Sequence, residues 1–223
     1  VALSAVVHTN MDCDGESSEH PSQLRRFTMI RQLGNSCGQG YPAQWPHDLS
    51  GSLDKMCKGM VETLPNERAM LSKFLVRVGQ EDPDALASHN LFGFEFDILL
   101  KRCLYHKLPL WNKIGRLKKS TLPKSINDRD IAAGRLLVDT YKSSKEFVRE
   151  TTYSLSALAE SQMKLKREEV DPQDVPRYFT NSANIIRLAS HCQTDALLVQ
   201  KLMMKLQIIP LTKQLPVCSG NLW

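Results

Sequence analysis

Nothing in this sequence approaches the roughly 20 consecutive apolar residues of a membrane-spanning helix, so no membrane contact is expected. The apolar opening VALSAVV is short, with no initiator methionine and no basic residue ahead of it. That pattern excludes a secretory signal and reads as a piece cut from a longer chain. Cysteine is scarce: Cys13, Cys37, Cys57, Cys103, Cys192 and Cys218 lie 20 or more residues apart, and none forms a C-x-x-C pair. Disulfide scaffolds and zinc sites need denser spacing, which leaves reduced thiols in an intracellular protein. Gly34, Gly38 and Gly40 make neither a phosphate-binding loop followed by Lys-Ser/Thr nor a G-x-G-x-x-G turn, so they read as turn glycines. Asp12, Asp14 and Gly15 open like a calcium loop, but the closing Glu is missing and a polar turn is expected. No Ser, His and Asp or Cys and His set announces a nucleophile.

One long stretch lacks acidic residues altogether. Between Asp97 and Asp128 there is none, while Lys101, Arg102, Lys107, Lys113, Arg116, Lys118, Lys119 and Lys124 all fall there. Those eight charges exceed the chain's formal +5, so the remaining residues together are net −3. The basic character is confined to 101–124, interleaved with Tyr105 and Trp111. Such a cluster attracts phosphates by Coulomb steering and counterion release. The same charges suit a solvated face or a surface docked on an acidic neighbouring domain.

What is present is ordinary globular material. A hydrophobic share of 42% with 24% charged residues over 223 positions suits one good-sized domain, not a disordered tail or a collagen rod. Leu3, Ala5 and Val7 alternate with Ser4, Val6 and His8, which predicts a first strand within Val1 to Asn10. A second strand is expected around Phe27 to Ile30, a loop over 34–52, and a third short strand within Leu53 to Glu62. Thr63 as cap, Pro65 in the first turn and the stripe Met70, Leu71, Phe74, Leu75, Val78 predict a helix ending at Gly79. Strand Ala85 to Ser88, helix Gly93 to Tyr105 and strand Gly134 to Tyr141 follow. Helices are then expected at Ser144 to Glu150, Ser154 to Lys164 and Pro172 to Phe179. A last long helix spans Ser182 to Leu206, with Ile185, Leu188, Cys192, Ala196, Val199, Met203 and Leu206 on one face. This order is α/β.

The remaining chemistry is a possible carboxylate cleft of Glu95, Asp97, Asp139 and Asp195. Two-metal phosphodiester hydrolysis holds its ions ~4 Å apart, where they repel by roughly 17 kcal/mol at an effective dielectric near 20. Carboxylates must offset that repulsion, and a strand supplies two of them to one face at i and i+2. The first strand offers Val6 and His8 there: one ligates nothing and the other adds no negative charge. On the last helix His191 and Asp195 stand at i, i+4, as ligands or as an exposed polar stripe.

At this point the sequence resembles a known family. The run SHNLFGFEFDILLKRCLYHKLPLWNKIGRLKKS (Ser88 to Ser120) resembles the second exonuclease motif and following basic segment of the family B DNA polymerases. The likeness is to the eukaryotic branch that extends RNA primers made by primase. GRLLVDTYKSSKEFVRETTYSLSALAE (Gly134 to Glu160) and HCQTDALLVQKLMMKLQIIPL (His191 to Leu211) are similar to its later strand and helices and to its third motif. The likeness covers about half of the chain, and residues 9–62 contribute almost nothing to it.

The resemblance implies a ribonuclease H-like 3′–5′ exonuclease fold over 1–223, a mixed sheet of about five strands flanked by helices with the first strand central. Carried over, the first motif (Asp, any, Glu) falls on Val6, Val7 and His8, so both carboxylates are gone. The second (Asn, three residues, Phe, Asp) falls on Asn90, Phe94 and Glu95, its acid lengthened by a methylene. The third (Tyr, three residues, Asp) falls on His191 and Asp195, where only the acid survives. Two of four ligands leave a formal −2 against two ions totalling +4, and the branch in question carries a non-proofreading relic. The palm motifs D-x-x-S-L-Y-P-S and Y-G-D-T-D-S do not occur.

The expectation is therefore a catalytically silent domain with no cofactor of its own, magnesium belonging to the parent's polymerase site. It would face DNA and an RNA–DNA primer-template, with Lys113, Arg116, Lys118 and Lys119 as candidates for phosphate contact. The resemblance further implies the rest of the polymerase chain, primase and an accessory subunit as partners, and the nucleus as location. Two other readings stay open: a divergent nuclease using Glu95, Asp139 and Asp195, with or without Asp97, and a protein-docking module whose old cleft has closed.

Overall fold

The run Phe27 to Ile30 is buried at every position, Thr28 included, and the first sheet is built around it. The computed structural model describes residues 2–11, 13, 24–33, 44–57, 59–118 and 129–221. The expectations placed on Asp12, Asp14, Gly15, Gly34, Gly38, Gly40, Lys119 and Lys124 lie outside them. Strand β1 (Ala2–His8) runs antiparallel to β2 (Leu24–Arg31), with Val6 opposite Arg26 and His8 opposite Leu24. Strand β3 (Val61–Leu64) lies parallel on the other side of β2. The order β1-β2-β3 makes β2 central and corrects the expectation that the first strand would be. The reason is burial: β2 is buried on both faces from Phe27 to Ile30, whereas β1 is half-buried along its length.

A parallel β2–β3 pair needs a crossover, and helix α1 (Leu49–Cys57) provides it where a loop and then a strand were expected. Leu49 and Leu53, one turn apart, are buried against Ile185 and Ile186, while Asp54, Lys55 and Met56 face out. A helix satisfies that spacing; a strand would not. Helix α2 (Glu67–Glu81) buries Met70, Leu71, Leu75 and Val78. Its cap is Asn66, whose side chain accepts from the Ala69 N–H at 2.8 Å; Thr63 is in β3 instead. The helix passes through Gly79 and stops at Asp82, which takes a left-handed conformation (φ 41°).

The second sheet pairs β4 (Ala85–Ser88) with β5 (Leu136–Asp139) in parallel, so that Ser88 and Asp139 stand side by side at their C-terminal ends. The five described strands thus form two small sheets, where a single mixed sheet was expected. β4 is only four residues long, and among the described strands its ladder runs to β5 alone. Between β4 and β5 come a π-helical turn (Leu91–Glu95), α3 (Phe96–Tyr105) and 3-10 turns at Pro109–Ile114 and Arg129–Ala132.

After β5 follow α4 (Thr140–Phe147), α5 (Leu155–Met163), the single turn α6 (Val175–Tyr178), α7 (Ser182–Lys205) and α8 (Ile208–Ser219). The chain enters α4 earlier than expected because the Asp139 side chain caps it, accepting from Tyr141 N–H. Left-handed Gln207 (φ 49°) separates α7 from α8, a helix absent from the sequence reading. Helix α7 crosses both sheets, packing on β1, β2 and β4. Trp111, expected beside the basic charges, is instead in the core between α2 and α3. Among the described residues no helix is long and apolar enough to cross a membrane.

One ion pair ties α2 to α3. Arg102 donates from Nε and Nη2 to the two Glu67 oxygens, each at 2.5 Å, and His106 Nε2 stands 3.4 Å away. The Arg102 guanidinium, helped by His106 and opposed by burial, lowers the Glu67 carboxyl to about 2. A depressed carboxyl stabilises the fold above its unfolded value near 4.5 and loses that contribution as pH falls toward 2. Glu67→Gln should therefore cost about 1–2 kcal/mol at pH 7, after screening of the half-exposed arginine. Urea denaturation of both proteins from pH 7 to pH 2 should show the difference shrinking through that window.

Candidate functional site

The positions of the first motif lie on β1, with Val6 and His8 on one face as the strand period requires. His8 Nδ1 is 3.1 Å from Gln200 Nε2, on α7. Gln200 is buried, and its Oε1 has no hydrogen-bond partner among the described residues. Where a metal site would place a second carboxylate, an imidazole and an amide meet.

The second motif starts at Asn90, held in a left-handed conformation (φ 64°) as β4 ends. Its backbone N–H donates to Asp139 Oδ1 at 3.0 Å. A Cβ on Gly93 would lie 2.2 Å from Asn90 Oδ1, so any larger residue there would oblige the Asn90 side chain to shift. The turn delivers Glu95 to the start of α3. Desolvation by the surrounding chain, with the Asp139 carboxylate adding repulsion, pushes the Glu95 carboxyl up to about 7. The residue as a whole is nevertheless exposed, and water screens part of that effect. Asp139 itself is 5% exposed. Its Oδ1 accepts from Asn90, Tyr141 and Lys142 N–H groups, while Oδ2 has no partner among the described residues.

The third motif lies on α7, where His191 Nε2 stands 3.5 Å from Asp195 Oδ2. Asp195 is engaged elsewhere as well. Arg167, from the segment between α5 and α6, grips it in a two-pronged pair: Nε to Oδ1 at 2.7 Å and Nη2 to Oδ2 at 2.8 Å. Arg167 Nη1 also donates to Ser156 Oγ at 3.0 Å, and that hydroxyl donates to Glu169 at 2.6 Å. A planar guanidinium matches a carboxylate edge to edge, so the chelating edge of Asp195 is taken and its charge offset. Asp97 stays out of the cluster and pairs with Lys101 at 2.7 Å.

Two divalent ions do not fit this donor set. Of the four candidate carboxylates, one is neutralised by Arg167, one pairs with Lys101 and one caps α4, leaving Glu95 as a single acid. Among the described residues no group of three or more His, Cys, Asp or Glu side chains is placed to hold a metal ion. Arg167 and Gln200 went unnoticed in the sequence, where nothing marks an arginine 28 residues from its partner.

The basic segment is less free than its charge suggests. Lys101 and Arg102 are paired with Asp97 and Glu67. Arg116 bridges Asp82 at 3.0 Å and Asp84 at 2.7 Å and donates to the Gly134 carbonyl. Lys113 packs along Gly79 and Lys118 is exposed, and among the described residues neither forms an ion pair.

Comparison with known proteins gives a family likeness. The profile described as "DNA polymerase family B, exonuclease domain" matches residues 48–158, which include Asn90, Glu95, Asp139 and the basic segment. The chain is 38% identical to the DNA polymerase alpha catalytic subunit of Oxytricha trifallax, over 99% of this chain and 15% of that protein. It is 36% identical to the one from Oryza sativa subsp. japonica (93% and 14%) and 30% identical to the one from Mus musculus (100% and 15%). The chain spans about 15% of the length of such relatives.

The sign of the Glu95 shift gives a test. A raised carboxyl is tolerated while protonated, below about 4.5, and opposes folding as pH rises through 7. Glu95→Gln should thus gain stability over the parent between pH 5 and 8 in thermal melts, with equal stability at pH 4. Carbon-detected NMR of Asp139→Asn should find the Glu95 carboxyl lowered but still above its ordinary range, because desolvation is the larger cause.

Proposed function

Because the chain belongs to the exonuclease domains of the family B DNA polymerases, with relatives along its length that are DNA polymerase alpha catalytic subunits, we propose that it is the catalytically silent exonuclease-like domain of such a polymerase. Residues 1–223 would then be one ribonuclease H-like unit, with α7 packed on strands of both sheets. Its task is architectural: it shapes the wall of the channel that carries the template, while a separate palm domain extends RNA primers supplied by primase. On this reading the parent works in the nucleus with primase and an accessory subunit, and magnesium serves the palm alone.

The observation that carries this reading is the Arg167–Asp195 pair. A hydrolytic centre needs its third-motif acid bare, and here a fixed cation has taken it. Loss of acid at Val6 and His8 removes the bridging charge, and the His8–Gln200 contact fills the space between β1 and α7. Lys113, Lys118 and Lys119 are the phosphate contacts we assign to the basic segment; Arg116 contributes less, since Asp82 and Asp84 already offset its charge.

A 3′-labelled single strand incubated with the chain and magnesium or manganese should stay full length. Metal-dependent trimming that disappears in Asp195→Ala would overturn the proposal. Val6→Asp with His8→Glu should still fail to bind manganese in calorimetry. Adding Arg167→Ala to that pair should produce measurable binding, because Asp195 is then released.

A further inference from the structure

Two of the described cysteines open onto one cavity. A void of about 240 Å³ is lined by Cys13, Pro210, Lys213, Gln214, Val217 and Cys218. The five residues from α8 recur at intervals of three and four, so a single face of that helix forms one wall. Cys13, from the segment after β1, closes the other side and packs against the cluster around Met203, Ile208 and Ile209. Its thiol donates to the Met11 carbonyl at 3.7 Å. Both thiols are free, Cys13 half-buried and Cys218 exposed.

Cys103 and Cys192 are unlike this pair. Burial pushes both of their thiols up to about 11, which keeps them protonated and inert. Cys218 is within reach of solvent, and the turn that carries it is loosely held. Pro216 has no N–H, so the Thr212 carbonyl lacks its i+4 donor, and the Gly220 N–H meets the Val217 carbonyl only at 3.4 Å. Left-handed Gly220 (φ 68°) then ends the helix. On the same wall Lys213 supplies a positive charge beside apolar Pro210 and Val217.

We propose that this cavity is a thiol–disulfide exchange site for a small anionic disulfide of the glutathione type. The Cys218 thiolate attacks one sulfur of that molecule. Its S–S bond breaks, a mixed disulfide forms on Cys218, and one small thiol leaves with the proton that Cys218 gave up. The Cys13 thiolate then attacks Cys218 Sγ, the second small thiol departs with the Cys13 proton, and a Cys13–Cys218 disulfide remains. The small disulfide is reduced to two thiols as the two cysteines are oxidised, so the step balances. Lys213 draws in the carboxylates of the incoming molecule. The new bond needs Cα atoms within about 7 Å of each other, and the loosely held last turn of α8 is the part that moves toward Cys13. An exposed link of this kind is readily reduced again, which makes it a reversible tie between α8 and the chain just beyond β1. The inference is independent of how the domain meets nucleic acid.

The test is incubation of the purified chain with glutathione disulfide, followed by intact mass and peptide mapping of every cysteine. The expected product has lost two hydrogens and joins the Cys13 and Cys218 peptides, and dithiothreitol restores the starting mass. Cys13→Ser should instead accumulate one glutathione adduct on Cys218, whereas Cys218→Ser should leave Cys13 unmodified over the same period. Should Cys13→Ser melt below the wild type, Cys13→Ala serves in its place. Lys213→Gln should slow the reaction with glutathione disulfide about threefold and leave the rate with neutral 2-hydroxyethyl disulfide unchanged, since only the former carries carboxylates. A wild-type chain that does not react, that stops at the mixed disulfide, or that joins Cys218 to another cysteine overturns the proposal. Equal slowing of both disulfides in Lys213→Gln also sinks it, because Lys213 would then act on the fold and not on the incoming anion.

Discussion

An aspartate on a packed helix face, short of water, needs a positive partner. Asp195 finds one in Arg167, and much of the centre follows from that pairing. The segment between α5 and α6 is drawn against α7, with Ser156 and Glu169 completing the chain of polar contacts. Breaking such a pair strands a partly desolvated charge, and pairs of this kind persist for that reason even where they add little net stability. A metal ion would have to displace a guanidinium already matched to both carboxylate oxygens.

The neighbouring acids follow the same rule with different solutions. Asp139 directs one oxygen to three backbone N–H groups and so fixes the turn from β5 into α4 and the end of β4. Glu67 takes Arg102, and Asp97 takes Lys101. Glu95 has no such cation among the described residues, and its carboxyl is the one pushed upward. The candidate site is thus a set of acids each tied into local structure, with Glu95 as the exception.

Charge on the basic segment illustrates how tertiary contacts redistribute what a linear sequence concentrates. Arg102 and Arg116 lie in an acid-free stretch, yet each meets carboxylates from α2 or the turn after it, more than 30 positions away. Within that segment Lys107, Lys113 and Lys118 are left without a carboxylate partner among the described residues. Trp111 makes the same point for aromatics: adjacency to lysines in sequence did not make it a stacking platform, because its ring fills the core between α2 and α3.

Alternation along β1, the apolar stripe of α2 and the 24-residue span of α7 are local periodicities, and they made those elements legible. The missing acids at Val6 and His8 were legible too, since residue identity alone decides whether a side chain can carry negative charge. Helix α1 was misread because its few apolar residues suit either period until Ile185 and Ile186 are packed against them. The division into two sheets, the central place of β2 and the grip of Arg167 on Asp195 were settled in three dimensions. Each depends on groups far apart in the chain meeting in a desolvated place, where pairing energy is set by distance and geometry, and no spacing in a sequence encodes either.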